Sequence, residues 1–175
     1  MCVRQLLIAA MLLVCSASTF AAAQYQLSSG DTIAINVFGE SDLTFKEIVL
    51  NDAGAFSYPF LGEVVAKGMT PTAVEQLITS KLKGGYLVNP RVSVSVLKYR
   101  PFFIGGEVKL PGGYPFQPGL TLDRAIALAG GLTERASDKR ITLVRGSDLK
   151  RSEIKATLST LVEPGDTINI DQGFF

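Results

Sequence analysis

The chain has 175 residues, 47% of them apolar, with 17 Lys and Arg against 16 Asp and Glu, two cysteines and no histidine. That length suits one ordinary core or two small domains. The balanced charge excludes the basic excess of a nucleic-acid binder, and the missing histidines leave acid-base and metal chemistry short of their usual groups.

Residues 1–23 read as a signal peptide. Arg4 supplies the positive start, Leu6 to Val14 the apolar stretch and Ala21, Ala22 and Ala23 the small-residue cleavage site, so cleavage is expected between Ala23 and Gln24. The apolar stretch is well short of the roughly 20 residues needed to span a bilayer. A rival reading places a lipid on Cys15, as in bacterial lipoproteins, but the residue before such a cysteine is normally small and here it is Val14. Cleavage at Gln24 removes both Cys2 and Cys15, leaving 152 residues with no thiol, so that stability must come from packing.

Tyr25 to Glu40 opens with a Gly30-Asp31 turn, after which Ile33, Ile35 and Val37 alternate with Thr32, Ala34 and Asn36 as in a half-buried strand. The phrase returns near the other end, where Gly165-Asp166-Thr167-Ile168 is again followed by an isoleucine two residues on. Two readings stay open, a common turn met twice or a duplicated element. In Glu47 to Glu63, Asn51-Asp52-Ala53-Gly54 suits a hairpin turn between two short strands, with Gly62 closing the second arm.

Thr70-Pro71 starts a helix, Val74, Leu77, Ile78 and Leu82 give it one apolar face, and Gly84-Gly85 stops it. Arg91 to Leu97 sets Val92, Val94 and Val96 on one side and Ser93 and Ser95 on the other, a strand with one buried face. The first half is therefore an α+β unit with a helix on a mostly antiparallel sheet. Pro101 cannot continue a central strand, so the boundary is placed at Tyr99, Arg100 and Pro101, dividing the chain into residues 24–99 and 100–175.

The second unit repeats this logic. A strand over Phe102 to Val108 leads into the turn-rich run from Pro111, Gly112 and Gly113 to Pro118 and Gly119. Thr121 is the expected cap of a helix carrying Asp123 in its first turn and Leu122, Ile126 and Ala129 on one face, ended by Gly130 and Gly131. Strands are expected over Ile141 to Arg145, Leu149 to Ile154 and Thr167 to Ile170. The glycine-rich runs match neither GxxxxGK[ST] nor GxGxxG, so turns explain them better than phosphate binding. No catalytic, metal or cofactor site is expected, and the reading is of a protein that is not an enzyme.

In order, YQLSSGDTIAINVFGE, NDAGAFSYPFLGEVVAKGMTPTAVEQLITSKL and NPRVSVSV, then IGGEVKLPGGYPF, GLTLDRAIALAGGLTERA and ITLVRG, resemble the bacterial polysaccharide export proteins, the outer-membrane auxiliary family of capsule and exopolysaccharide systems. The positions carrying the resemblance are Gly30, Asp31, Gly54, Pro59, Gly62 and Pro90 in the first half. In the second they are Gly106, Val108, Pro111, Gly112, Ala129, Gly130 and Gly131. The resemblance spans essentially all of residues 24–175. It implies an N-terminal export domain followed by one β-grasp-like SLBB (soluble ligand-binding β-grasp) domain.

Large members of that family carry further β-grasp modules and a C-terminal amphipathic pore helix, which this sequence does not show after Phe175. The resemblance therefore implies a periplasmic component associated with the outer membrane of a Gram-negative bacterium. It would be a ring-forming homo-oligomer that guides a secreted polysaccharide. Its implied partner is an inner-membrane co-polymerase, often linked to a tyrosine kinase, and a separate outer-membrane β-barrel is inferred because the sequence shows no pore helix of its own. The alternative is a periplasmic sugar-binding module acting as a monomer, with Tyr114 and Phe116 as candidate glycan contacts, although aromatics more often serve the core. A DNA-uptake role is disfavoured by the absent basic excess.

Overall fold

A computed structural model describes residues 25–148 and 150–173. Two hydrophobic cores divide them, one built from residues between Leu27 and Val94 and the other from residues between Phe102 and Ile170. The chain is α+β, with two small domains that each pack one helix on a mostly antiparallel sheet. The signal-peptide positions, including Cys15, Ala23 and Gln24, lie outside the described residues.

In the first domain β1 (Thr32–Val37) is central, flanked by β2 (Phe45–Val49) and β5 (Val92–Lys98) in an antiparallel sheet. Ile33, Ile35 and Val37 are buried, as the alternation requires, with Val94 opposite Ile35. The helix α1 (Pro71–Lys83) lies against β5. Its start is fixed locally: the Thr70 hydroxyl accepts from the Ala73 amide at 3.1 Å, and Pro71 gives up an amide that had no partner to lose. Val74, Ile78 and Leu82, one turn apart, are fully buried, and Gly84 and Gly85 follow the last turn.

The expected hairpin across Asn51–Gly54 is corrected by the pairing. That turn joins β2 to β3 (Ala55–Tyr58), and these do not pair with each other: β2 pairs with β1, while β3 pairs with β4 (Gly62–Val65). Asn51 Oδ1 accepts from the amides of Ala53 and Ala55 at 3.0 and 2.9 Å, and the Gly54 carbonyl takes the amides of Ala66 and Lys67. The chain is thereby led out of the first sheet. The true hairpin turn is Pro59 to Leu61, with Leu61 N–H donating to the Tyr58 carbonyl at 3.2 Å, so Gly62 opens the second arm rather than closing it.

The second domain is a five-stranded sheet in the order β7 (Gly112–Tyr114), β6 (Phe102–Gly106), β10 (Thr167–Gln172), β8 (Ala136–Val144), β9 (Glu153–Ala156). The pairing of β6 with β10 is parallel and the rest antiparallel. The helix α2 (Leu122–Leu128) buries Leu122, Ala125 and Ile126 in the same core as Phe102, Ile141, Leu143 and Ile168. Gly130 and Gly131 follow with φ of 80° and 90°, and the Gly131 amide returns to the Ile126 carbonyl at 2.9 Å.

Two expectations shift here. Thr121 precedes α2 but does not cap it with its side chain. The hydroxyl bonds to the Asp123 carboxylate, and the carbonyls of Thr160 and Leu158 take the amides of Leu122 and Asp123. That Thr121 hydrogen bond also holds the exposed Asp123 carboxyl below its usual range. The strand expected from Leu149 begins only at Glu153, because the Asp148 carboxylate captures the amides of Lys150 and Ser152, each at 2.8 Å, and winds the chain into a turn. The same amides lower the Asp148 pKa. The strand expected over Ile141–Arg145 runs instead from Ala136 to Val144.

Candidate functional site

The repeated Gly-Asp-Thr-Ile phrases make one device used twice. Gly30 and Gly165 each have φ of 84°, and Asp31 and Asp166 are the two fully buried carboxylates among the described residues. Asp31 Oδ2 accepts from Ser28 N–H and Asp166 Oδ2 from Glu163 N–H, both at 2.8 Å. The other oxygens, both at 3.0 Å, take the amides of Arg100 and Gly146. Each carboxylate also faces one arginine: Arg100 lies 3.5 Å from Asp31 and Arg145 2.7 Å from Asp166. A buried carboxylate demands such a shell, since an unpaired one would be very costly.

Arg100 ties the two copies together. Its Nη1 reaches Asp31 and the Tyr25 hydroxyl of the first domain, while Nε donates to the Pro164 carbonyl of the second at 3.0 Å. Gly165 is required beneath it, because a Cβ there would stand 2.7 Å from Arg100 Nε. The Tyr25 hydroxyl donates to Asp31 Oδ2 at 2.5 Å. Burial first, and the Asp31 carboxylate second, push that phenol well above its ordinary value of 10.

Beside this clasp lies a cleft of about 730 Å³ between the domains. Tyr25, Tyr99 and Phe116 line it in series, edge to face, with centroids 4.8 Å apart for the first pair and 5.4 Å for the second. Pro118, Leu161 and Val162 add apolar surface, and Gln26, Ser147 and Glu163 bring polar groups to the same space. Aromatic and aliphatic walls with a few placed polar groups are the usual make-up of a small-ligand site. Among the described residues no three side chains of metal-binding type converge.

The candidate glycan contacts part company here. Phe116 lines the cleft, but Tyr114 does not: its ring stacks on Phe102 at 5.9 Å and its hydroxyl donates to the Leu110 carbonyl at 2.6 Å. The motif glycines serve the backbone. Gly54 and Gly106 stand where a Cβ would come within 2.6 Å of Lys67 Cβ and 2.1 Å of the Ile170 carbonyl oxygen, respectively. Gly62 has φ of 68°, and Pro90 is buried at the entrance to β5. Val108 is buried and bridges to Leu132, Ala129 is buried in the second core, and Pro111 and Gly112 are exposed at the start of β7. Nothing in the local sequence marks Tyr25, Tyr99, Arg100, Leu161 or Glu163 as site residues. The doubled Gly-Asp phrase was the available signal, since a carboxylate buried after such a turn calls for a cation.

The alkaline limb of stability follows from two phenols. Tyr58, whose hydroxyl donates to the Leu43 carbonyl at 2.7 Å, is pushed up to about 12 by burial, and Tyr25 is raised as well. Both groups favour the folded state while neutral. Their contribution is therefore intact below the ordinary value of 10 and is lost as pH rises through the folded-state value. Tyrosinate absorbance should show these phenols ionising late, with unfolding free energy falling between pH 10 and about 12; a flat profile there would contradict it.

The class is a two-domain α+β protein whose second module is a β-grasp-like sheet carrying one helix. Residues 20–97 match the family model of polysaccharide biosynthesis/export proteins, and residues 101–155 match that of the SLBB domain. The chain belongs to this polysaccharide export family, with an export domain followed by an SLBB domain. It is 30% identical over 150 residues to the exopolysaccharide production protein ExoF of Rhizobium meliloti (strain 1021), covering 79% of this chain and 36% of that one. It is also 30% identical over 130 residues to the polysialic acid transport protein KpsD of Escherichia coli, covering 72% and 23%. The chain thus spans about a third or less of the length of these relatives. The SLBB match stops at residue 155, yet β10 beyond it is the central strand of the sheet, so the folded module extends further.

Proposed function

We propose that the protein is a non-catalytic periplasmic component of an exopolysaccharide or capsule export machine, associated with the outer membrane. In this reading copies assemble head to tail into a ring, and the glycan passes through by steric guidance and weak contacts. The observation that carries the reading is the ordered pair of export and SLBB domains, clasped to each other at Arg100. The inner-membrane co-polymerase with its tyrosine kinase and a separate outer-membrane β-barrel belong to the same proposal. Cross-linking in producing cells followed by pull-down should recover both; recovery of neither would count against it.

The surface supports self-association. Phe60 sits at φ of 64°, following Pro59 in the hairpin turn, where glycine or asparagine is usual. The residue is 66% exposed and its ring stacks on that of Tyr86 at 5.0 Å, and Val88 nearby in sequence is 93% exposed. The Tyr86 hydroxyl also donates to the Phe60 carbonyl at 3.2 Å, so the two rings are held together as one apolar surface facing solvent, a feature of contact sites. The second domain exposes different apolar residues, Leu110, Leu128 and Leu161. Two unlike surfaces are what a heterologous contact needs, and such contacts close into rings when the rotation per copy allows.

Native mass spectrometry should find a closed homo-oligomer of the wild type, and Phe60→Asp with Tyr86→Asp should shift it to monomer with the fold retained. A wild type that stays monomeric at high concentration and with its export partners would overturn the ring. Deleting the gene should abolish surface polysaccharide, and normal secretion with no related gene to substitute would overturn the export reading altogether.

A further inference from the structure

We propose that the cleft between the domains, walled by Tyr25, Tyr99 and Phe116, is a binding site for a neutral stretch of oligosaccharide. This rests on the export reading and gives it a place of contact.

The argument begins with shape and surface. A pyranose ring presents apolar C–H faces and a rim of hydroxyls, so it suits aromatic surface flanked by a few hydrogen-bonding groups. Tyr25, Tyr99 and Phe116 provide the surface, and their edge-to-face succession carries it from one domain to the other. A volume of about 730 Å³ falls inside the ~300–1,000 Å³ of ordinary ligand sites and admits a short saccharide.

Charge selects among ligands. Arg100 is the only cation lining the cleft among the described residues, and its guanidinium is already engaged by Asp31, the Tyr25 hydroxyl and the Pro164 carbonyl. No uncommitted basic group lines the cleft to meet a phosphate, a sulfate or a uronate: the Glu163 carboxylate there pairs with Arg145 at 3.6 Å, and that arginine is also held by Asp166 at 2.7 Å. The polar groups that remain suit hydroxyls. The Tyr99 hydroxyl, the Gln26 carboxamide and the Ser147 hydroxyl make no hydrogen bond within the described residues. Each can donate to and accept from a sugar hydroxyl.

Mechanically the site is incomplete in either domain alone. Tyr25 and Tyr99 come from the two ends of the first domain, Phe116 and Leu161 from loops of the second, and the Arg100 clasp fixes the gap between them. A passing glycan would therefore meet a preformed surface, which lowers the ordering cost of a weak contact.

The test uses the protein as isolated from producing cells. Fragments of the cell's own surface polysaccharide, released by mild acid and separated into neutral and acidic pools, are titrated against it. Binding is followed by tyrosine fluorescence, free of tryptophan background in this chain, and by NMR. The expected result is saturable binding of the neutral pool, with the largest shifts on the rings of Tyr25, Tyr99 and Phe116. Phe116→Ala and Tyr99→Leu should each weaken it about tenfold. A second variant, Ser147→Phe, should block the cleft from its exposed edge, and Tyr114→Phe should change nothing.

Preference for the acidic pool, shifts centred elsewhere, or no binding at millimolar sugar would overturn the proposal. So would protection of Tyr99 and Phe116 on self-association without sugar, since a neighbouring copy would then fill the cleft. The export reading fails separately, by normal surface polysaccharide after gene deletion. Deletion that stops export, combined with folded Phe116→Ala and Tyr99→Leu proteins that bind and export like the wild type, would sink the cleft alone.

Discussion

Gly106→Ala is expected to unfold the second domain while leaving the first intact. Gly106 ends β6 opposite Ile170 of β10, the central strand, and a Cβ there would lie 2.1 Å from the Ile170 carbonyl oxygen and 2.9 Å from its carbonyl carbon and amide nitrogen. These are backbone atoms of a paired strand, so no rotamer change relieves the clash. The φ of 78° adds left-handed strain that alanine tolerates poorly. The only escape is to separate β6 from β10, which opens the core between Ile104 and Ile168. A loss of about 4 kcal/mol or more follows, in the range reserved for steric disruption of this kind. Hydrogen exchange should show protection vanishing in β6, β8 and β10 and persisting in β1 and β5. Gly112→Ala is the control: nothing lies within 4 Å of a Cβ at that position, so its effect should stay within about 0.5 kcal/mol. Equal stability of the two variants would contradict the account.

The second large effect is expected from Asp31→Ala. The carboxylate is fully buried and accepts from Ser28 N–H, Arg100 N–H and the Tyr25 hydroxyl while facing the Arg100 guanidinium. Alanine takes this acceptor from the two amides and the Tyr25 hydroxyl, and it leaves a guanidinium only 18% exposed with the Pro164 carbonyl and the Tyr25 hydroxyl but no counter-charge. Removing one partner of such a pair costs about 3–5 kcal/mol, chiefly because the other remains desolvated. For a protein of this size the melting temperature should fall by roughly 10 °C. Arg100→Lys should cost less, since it keeps a charge for Asp31 and loses the Nε bond to Pro164. That variant separates the electrostatic need of Asp31 from the tie between domains. It should loosen the second domain against the first with little loss of secondary structure, measurable as a broader small-angle scattering profile. An Asp31→Ala protein within 1 kcal/mol of the wild type would refute this description of the clasp.

Local chemistry was legible and distant partnership was not. Thr70-Pro71 with Val74, Ile78 and Leu82 announces α1 because the cap, the proline and the apolar spacing all lie within one short window. Val92, Val94 and Val96 announce β5 for the same reason. Asn51-Asp52-Ala53-Gly54 has the residues of a hairpin turn, but which strands pair is decided by β1 and β4, outside that window. Thr121 has the right residue type for a cap, yet carbonyls of Leu158 and Thr160, over thirty residues on, supplied the partners. The cleft was out of reach for the same reason. Arg100 meets Asp31 across 69 residues and Pro164 across 64, and no periodicity records either meeting. What the sequence did display was the doubled Gly-Asp-Thr-Ile phrase, whose two copies share φ, burial, amide partners and an arginine apiece. Between a turn met by chance and one device used twice, that shared geometry favours the second.

We propose that these paired domains act by surrounding a glycan with copies of themselves. Electron micrographs of the protein cross-linked in producing cells and then purified test this most directly. Closed rings with an open middle, lost in the Phe60→Asp, Tyr86→Asp protein, are the predicted result. Single two-domain particles from cells actively secreting polysaccharide would contradict it.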